Sequence, residues 1–333
     1  MKTRVGVLMG GYSSEFEISI KSGMAVYSAL CDLEDYEIYV VHIVKDSWDV
    51  VLKGEKYPID KNDFSATTPL GTLQFDVLFN AIHGTPGEDG LLQGYLEMMG
   101  IPQTASRHFE SALTFNKAET SSLLNHFGVT IPGAYYLAKG ESVDPQKVIE
   151  KLGLPLFVKP NRAGSSFGVS KVSKKEEFEP AVHKALEEDT QVVVESAIIG
   201  TELACGVVRL KGEIKILGLT EVITDREFFD YEAKYSGESQ EITPARIPEE
   251  IAEKIKTETR FIYESLNLSG VARVDYILSN KDQMPYFIEV NSVPGLSGES
   301  IVPKQIKYSN LSETEFYHQC IQQTLAESSH KNS

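Results

Sequence analysis

The chain has 333 residues, is 41% hydrophobic and carries a formal net charge of −16. That length and apolar content suffice for a large core divided into two or three domains. The acidic balance excludes a general nucleic-acid or membrane-surface binder, because such partners select basic stripes; any bound phosphate must be met by a few locally placed lysines.

The opening MKTRVGVLMGG lacks the long apolar region and cleavage site of a secretory leader, and no run reaches the roughly twenty apolar residues of a membrane span, which predicts a cytoplasmic protein. RVGVLMGG reads as a buried strand entering a glycine turn. A helix follows, with Ile20, Met24, Tyr27 and Cys31 at helical spacing. YEIYVVHIV and FDVLFNAIHG are the next strands, and their alternation with helices predicts a parallel α/β domain over residues 1–116 with its working loops at the strands' carboxyl ends. His83 and Glu88 fall on one such loop, HGTPGEDGLLQG. The three cysteines, Cys31, Cys205 and Cys320, are too far apart for a CxxC pair and are expected to be buried free thiols.

Residues 117–200 read as a small α+β domain. KAETSSLLNHFG predicts a helix whose Asn116 and Glu119 have capping-box spacing. This puts Lys117 in the first turn, where the macrodipole disfavours a cation unless an anion is bound there. The runs YYLAKG, LFVKP, GVSKV and QVVVESAIIG then read as short strands. After Lys159 the loop NRAGSSFG lacks the ending of a Walker motif. Its Gly164 and Gly168 nevertheless bracket Ser165 and Ser166, so backbone N–H groups there can wrap an anion; an ordinary Gly/Ser hairpin beside a solvated lysine is the competing reading.

Residues 201–333 begin with the longer strands ELACGVVRL and EIKILGLTEVI. The polar loop TDREFFDYEAKYSGESQEITPAR follows, whose length suggests a lid and whose aromatics argue against disorder. GVARVDYIL and PYFIEVNS carry the most informative pattern. Side chains alternate along a strand, so Arg273 and Asp275 share one face, as do Glu289 and Asn291. On neighbouring strands they would bring together a guanidinium, two carboxylates and an amide oxygen, a hard-ligand set suited to Mg²⁺ and phosphate; a solvent-facing charged stripe is the alternative. VPGLSGES then supplies Gly295 and Ser300 in a turn whose N–H groups can face a developing oxyanion. The seven histidines form no HxH or HExxH pattern, which argues against histidine metal ligation. A terminal helix carries Tyr317, Ile321 and Leu325 before a frayed SSHKNS.

In this order, GGYSSEFEIS, HGTPGEDGLLQG, VKPNRAGSSFGVSKV, FFDYEAKY, RVDYIL and EVNSVPG resemble the ATP-grasp ligases, specifically the D-alanine:D-alanine ligase family of bacterial cell-wall (peptidoglycan) synthesis. The resemblance spans residues 4 to 325 and implies a three-domain ATP-grasp architecture with ATP between the central and C-terminal domains. It implies that Lys117 and Lys159 bind phosphate with the Ser165–Ser166 hairpin as flap, that Glu195 and Glu202 line the adenine and ribose pocket, and that Lys234 reaches the γ-phosphate. It further implies that Asp275, Glu289 and Asn291 hold two Mg²⁺ ions, for which Mn²⁺ can substitute. Glu15 and His83 would read the first D-alanine, Arg273 and Gly295 would form the oxyanion site, and Ser300 would hold the second substrate's carboxylate. Ser165 and Tyr235 would link Glu15 to the closed lid, a tyrosine at that position going with dipeptide rather than D-lactate ester formation. A homodimer is implied as well.

Where relatives commonly read YTGS, MDK and Glu, this chain has QTAS, FNK and Ala163; none of these removes a required charge, lysine or metal ligand, and they bear on loop contacts more than on the reaction. Two other readings stand beside this one. A dinucleotide oxidoreductase lacks its G-x-G-x-x-G order here. A non-catalytic nucleotide-binding regulator on the same fold would have no need of the complete lysine and carboxylate set. Within the family, D-serine and D-lactate remain alternative acceptors.

Overall fold

Three sheets organise the computed structural model, which describes residues 2–164, 166–224 and 239–331. In the first, β1 (Thr3–Gly10) is buried from Val5 onward and lies parallel to both its neighbours, β2 (Tyr36–Ile43) and β7 (Val77–Asn80). The sheet is parallel only there. It continues beyond β2 as an antiparallel meander of β3 (Trp48–Leu52), β4 (Glu55–Asp60), β5 (Ser65–Thr68) and β6 (Gly71–Leu73). Antiparallel neighbours need only a tight turn, and Lys53 and Gly54 supply one, both at positive φ, joining β3 to β4.

Helix α1 (Phe16–Leu30) corrects the face expected from its apolar spacing. Its buried residues are Ile18, Ser19, Ser22, Gly23, Val26 and Leu30, while Met24 is exposed. The inward positions nearest the strand ends are two serines and a glycine. A Cβ on Gly23 would stand 2.7 Å from Met9 Cβ, so the helix approaches β1 too closely for any side chain there. Cys31, just past the helix, is exposed and donates to the Ser28 carbonyl at 3.6 Å; only Cys205 and Cys320 are buried as expected. Helices α2 (Leu91–Met99), α3 (His108–Phe115) and α4 (Lys117–His126) complete the first 126 residues.

The second sheet is antiparallel, in the order β10 (Ser170–Val172), β9 (Leu156–Pro160), β11 (Gln191–Ser196), β8 (Ala134–Ala138). With α5 (Pro145–Leu152) and α6 (Phe178–Glu188) it encloses its own core of Val148, Leu156, Val158, Phe178, Ala185 and Val194. The third sheet, also antiparallel, runs β14 (Ser239–Ile242), β13 (Glu213–Thr224), β12 (Gly200–Leu210), β15 (Val271–Ser279), β16 (Pro285–Asn291). One of its faces packs on α7 (Glu249–Ser265), and Leu124 of α4 joins that core.

Two further helices, α8 (Ile301–Tyr308) and α9 (Glu313–Lys331), merge the third sheet with the first. Val302, Ile306, Phe316, Tyr317 and Ile321 pack with Val5, Val7 and Phe79 on one side and with Val208, Leu210 and Leu217 on the other. Helix α9 continues through the expected frayed tail as far as Lys331. No helix among the described residues is long and apolar enough to cross a membrane. Because Ile306 is fully buried in the shared core, Ile306→Ala should cost about 2–4 kcal/mol. Hydrogen exchange should then show lost protection in β1 and β12 together; loss confined to β12 would mean that the two sheets are stabilised separately.

Candidate active site

Strands β15 and β16 are hydrogen-bonded neighbours, with Arg273 opposite Asn291 and Asp275 opposite Glu289. Val274 and Val290 enter the core on the reverse side, leaving a polar face. Arg273 donates from Nε and Nη2 to the two oxygens of Asp275, each at 2.7 Å, and Asn291 Nδ2 donates to Asp275 Oδ2 at 3.0 Å. Burial works against the Arg273 cation, but the Asp275 carboxylate holds its pKa above the ordinary value. This face lines a cavity of about 390 Å³ and is not a surface stripe. Among the described residues no three His, Cys, Asp or Glu side chains form a cage. Two carboxylates and an amide instead fit a hard cation that completes its shell with phosphate oxygens and water.

The opposite wall comes from the second sheet. Lys159 and Glu195, on adjacent antiparallel strands, are both buried and form a 2.7 Å ion pair. Asn116 caps α4 as expected, its side chain accepting the Glu119 N–H at 3.1 Å. Lys117, in the first turn, lies 3.2 Å from Glu289 Oε2 and donates to the Ala163 carbonyl at 2.6 Å, so a carboxylate offsets the unfavourable dipole. Buried Asn161 fastens these pieces together. Its Oδ1 accepts the Ala118 N–H at 2.8 Å, and its Nδ2 donates to Asn116 Oδ1 and Gln191 Oε1, each at 2.9 Å. The hairpin then turns at Ser166, whose φ of 61° is left-handed.

Glu15, His83, Gly295 and Ser300 reach the same cavity from elsewhere. Cβ atoms built on Gly84 and Gly164 would stand 3.0 and 2.5 Å from Glu15 Oε2, so the carboxylate sits where only glycines leave room. Glu88 accepts the Gly84 N–H at 3.1 Å and the Val293 N–H at 3.4 Å; burial, reinforced by Glu15, raises its pKa well above the usual carboxylate range. Gly295 makes no hydrogen bond through its N–H among the described residues. A Cβ there would stand 2.7 Å from Ser300 Oγ. Ser300 itself precedes α8, and its hydroxyl meets Ser297 Oγ at 2.9 Å without capping the helix.

Every expected site residue that is described lines this one cavity: Glu15, His83, Lys117, Lys159, Ser166, Glu195, Glu202, Arg273, Asp275, Glu289, Asn291, Gly295 and Ser300. Ser165, Lys234 and Tyr235 lie outside the described residues, as do residues 225–238 of the expected lid, whose remaining end forms β14.

Known proteins resemble the chain along its whole length. Residues 4–106 match the D-ala D-ala ligase N-terminus and residues 123–322 the D-ala D-ala ligase C-terminus. The D-alanine–D-alanine ligase of Flavobacterium johnsoniae is 46% identical over 97% of this chain and 99% of its own length. The chain belongs to the D-alanine–D-alanine ligase family. Solved structures agree. D-alanyl-alanine synthetase A from Vibrio cholerae superposes with a TM-score of 0.88 at 29% identity, covering 98% of this chain and 99% of that one. The VanG D-Ala:D-Ser ligase from Enterococcus faecalis gives 0.85 at 30% identity, over 97% and 99%. The Bacillus anthracis D-alanine–D-alanine ligase complexed with ATP gives 0.77 at 29% identity, over 99% and 100%.

In this member of the ligase family, Asn161 and Ser22 are the site-building residues that sequence reasoning missed. Asn161 had a faint signal, a polar side chain directly after the buried VKP strand end. Ser22 had none, since serine on a helix normally satisfies itself locally. His83 is fully buried, which lowers its pKa from 6.5 to about 4 and keeps it neutral. Between those two values the unfolded chain binds a proton that the folded chain refuses, so stability must fall as pH falls, by about 1.4 kcal/mol per pH unit. Urea titrations of His83→Gln should lack this component of the slope between pH 6.5 and about 4. Equal slopes for the two proteins would mean that His83 titrates in the native state as freely as in the unfolded one.

Proposed function

We propose that the chain ligates two D-alanines to D-alanyl-D-alanine at the expense of ATP, for peptidoglycan precursor synthesis. The observation that carries this reading is the single cavity in which two lysines, a carboxylate–amide face and an unbonded turn N–H converge from different sheets. Relatives with that ligase name at 46% identity support it, as does the similar structure complexed with ATP. Residues 1–116 would bind the first D-alanine, residues 117–200 would form the central ATP-grasp domain, and residues 201–333 would carry the metal, lid and oxyanion groups.

Lys117 and Lys159 hold the phosphates, releasing Glu289 and Glu195 for other partners, while Glu195 and Glu202 border the base and ribose. Asp275, Glu289 and Asn291 would hold two Mg²⁺ ions, or Mn²⁺, which would supply neutralisation of phosphate charge. Glu15 takes the ammonium of the first D-alanine. His83, with Nε2 engaged by Ser22, contributes the edge of its ring. Held in line, the carboxylate of that D-alanine attacks the γ-phosphorus, giving ADP and an acyl phosphate. The amine of the second D-alanine then attacks the carbonyl carbon. Arg273 and the Gly295 N–H stabilise the oxyanion until phosphate leaves and the peptide bond forms. Ser300 and the start of α8 hold the second carboxylate. Ser165 and Tyr235 would tie Glu15 to a closing lid that includes Lys234. The same reading makes the protein a cytoplasmic homodimer.

Mass spectrometry of products, run beside a phosphate-release assay, tests the reaction. Dipeptide should appear only with D-alanine, ATP and Mg²⁺ together, and L-alanine should not substitute. ATP consumption without D,D-dipeptide overturns the reading, and D-alanyl-D-serine as the main product from mixed acceptors would move the chain toward the activity named for VanG. Glu289→Gln removes one carboxylate charge at constant size. It should cut turnover by roughly 100-fold, about 3 kcal/mol of transition-state stabilisation, in a folded protein. Turnover near normal at ordinary Mg²⁺ would remove Glu289 from the metal set.

A further inference from the structure

The turn that follows Asn291 is tied back to the first sheet at two points on either side of Gly295. The Val293 N–H donates to Glu88, and the Leu296 N–H donates to Ser22 Oγ at 3.1 Å. Pro294 has no N–H to give. Ser22 Oγ also lies 2.9 Å from His83 Nε2. A hydroxyl has a single hydrogen. Ser22 accepts from Leu296, and among the described residues His83 Nε2 is the only hydrogen-bond acceptor its buried hydrogen meets, so Nε2 takes that hydrogen and the ring proton sits on Nδ1. The Val293 backbone lies close enough to the ring to favour its protonated form. The turn is therefore held on both sides of Gly295: by the path Leu296 N–H to Ser22 to His83, and by the Val293 N–H to Glu88.

Ser22 is fully buried in α1, and its two partners lie 61 and 274 residues away along the chain. A helical serine ordinarily bonds back to its own preceding turn. This one spends its hydroxyl on another sheet. We propose that Ser22 is a positioning residue for the ligation reaction: its hydroxyl fixes the 293–296 turn so that the Gly295 N–H points into the cavity, and it sets the tautomer of His83. The inference rests on the reading of Gly295 as oxyanion donor. Ser22 touches no substrate and acts through the turn. Its removal leaves a buried N–H and an imidazole nitrogen without their shared partner and lets the turn shift.

Two measurements test this. Nitrogen-15 NMR of the imidazoles, with the His83 signals assigned by their loss in His83→Gln, should show the wild-type ring protonated at Nδ1 and accepting at Nε2. In Ser22→Ala the Nε2 resonance should move as its donor is lost. Steady-state kinetics should show kcat for dipeptide formation falling roughly 10- to 100-fold, with KM for ATP unchanged because the nucleotide walls do not touch Ser22. Ser22→Thr, which keeps the hydroxyl, should recover most of that loss. A wild-type His83 protonated at Nε2, or a folded Ser22→Ala with wild-type kcat, overturns the proposal. If Ser22→Ala does not fold, the wild-type spectrum decides. Absence of dipeptide from the wild type would instead overturn the ligase reading, and the tautomer measurement keeps that failure distinct.

Discussion

The site depends on one apolar seam. Strands β1 and β7 meet β12 and β13 through the side chains of α8 and α9, with Val5, Phe79, Val302, Ile306 and Tyr317 sharing a single core. Protein interiors are close-packed and hardly compressible, so groups mounted on the two sheets are held at fixed separations. Glu15 and His83 come from one sheet and Arg273, Asp275 and Gly295 from the other, at least 190 positions later in sequence. A cavity assembled from such distant segments can be accurate only because the scaffold beneath them behaves as one body.

Electrostatics complete what packing begins. Three of the cationic groups on the cavity wall are paired with acids: Lys159 with Glu195 on the adjacent strand, Lys117 with Glu289 of β16, and Arg273 with Asp275 on its own strand. Burying a charge without a partner is costly, and these pairings let the charges persist in a partly dehydrated space. In the proposed reaction, phosphate oxygens would replace these carboxylate oxygens on the two lysines. In that respect the folded chain is organised for anionic substrates despite its net charge of −16, because nearby charges in a closed cleft outweigh distant screened ones.

Much of this was legible in the sequence wherever backbone geometry translates directly into side-chain direction. The two-residue alternation of a strand placed Arg273 with Asp275 and Glu289 with Asn291, and the N-x-x-E spacing placed Lys117 at a helix start. The face of α1 was illegible because its inward residues near the site are Ser19, Ser22 and Gly23, chosen for contacts and closeness rather than hydrophobicity. The β3–β6 meander was missed because its strands are short and one of its turns is Lys-Gly, a weaker signal than Asn-Gly. Asn161 and Ser22 act through partners remote in sequence, and no local pattern encodes such pairings. Ser165, Lys234 and Tyr235 were named from the family resemblance and belong to segments outside the described residues.

The second sheet differs from the other two in closing on its own apolar residues, Val148, Leu156, Phe178 and Val194 among them. Hydrogen bonds from Asn161 to Asn116 and from the Ala118 N–H to Asn161, with the Lys117–Ala163 bond, tie it to α4. Water can replace such contacts at little net free energy, whereas it cannot replace buried hydrocarbon. Breaking these bonds would leave the sheet's own core intact, so this joint is where the cavity wall can part at least cost in buried hydrocarbon.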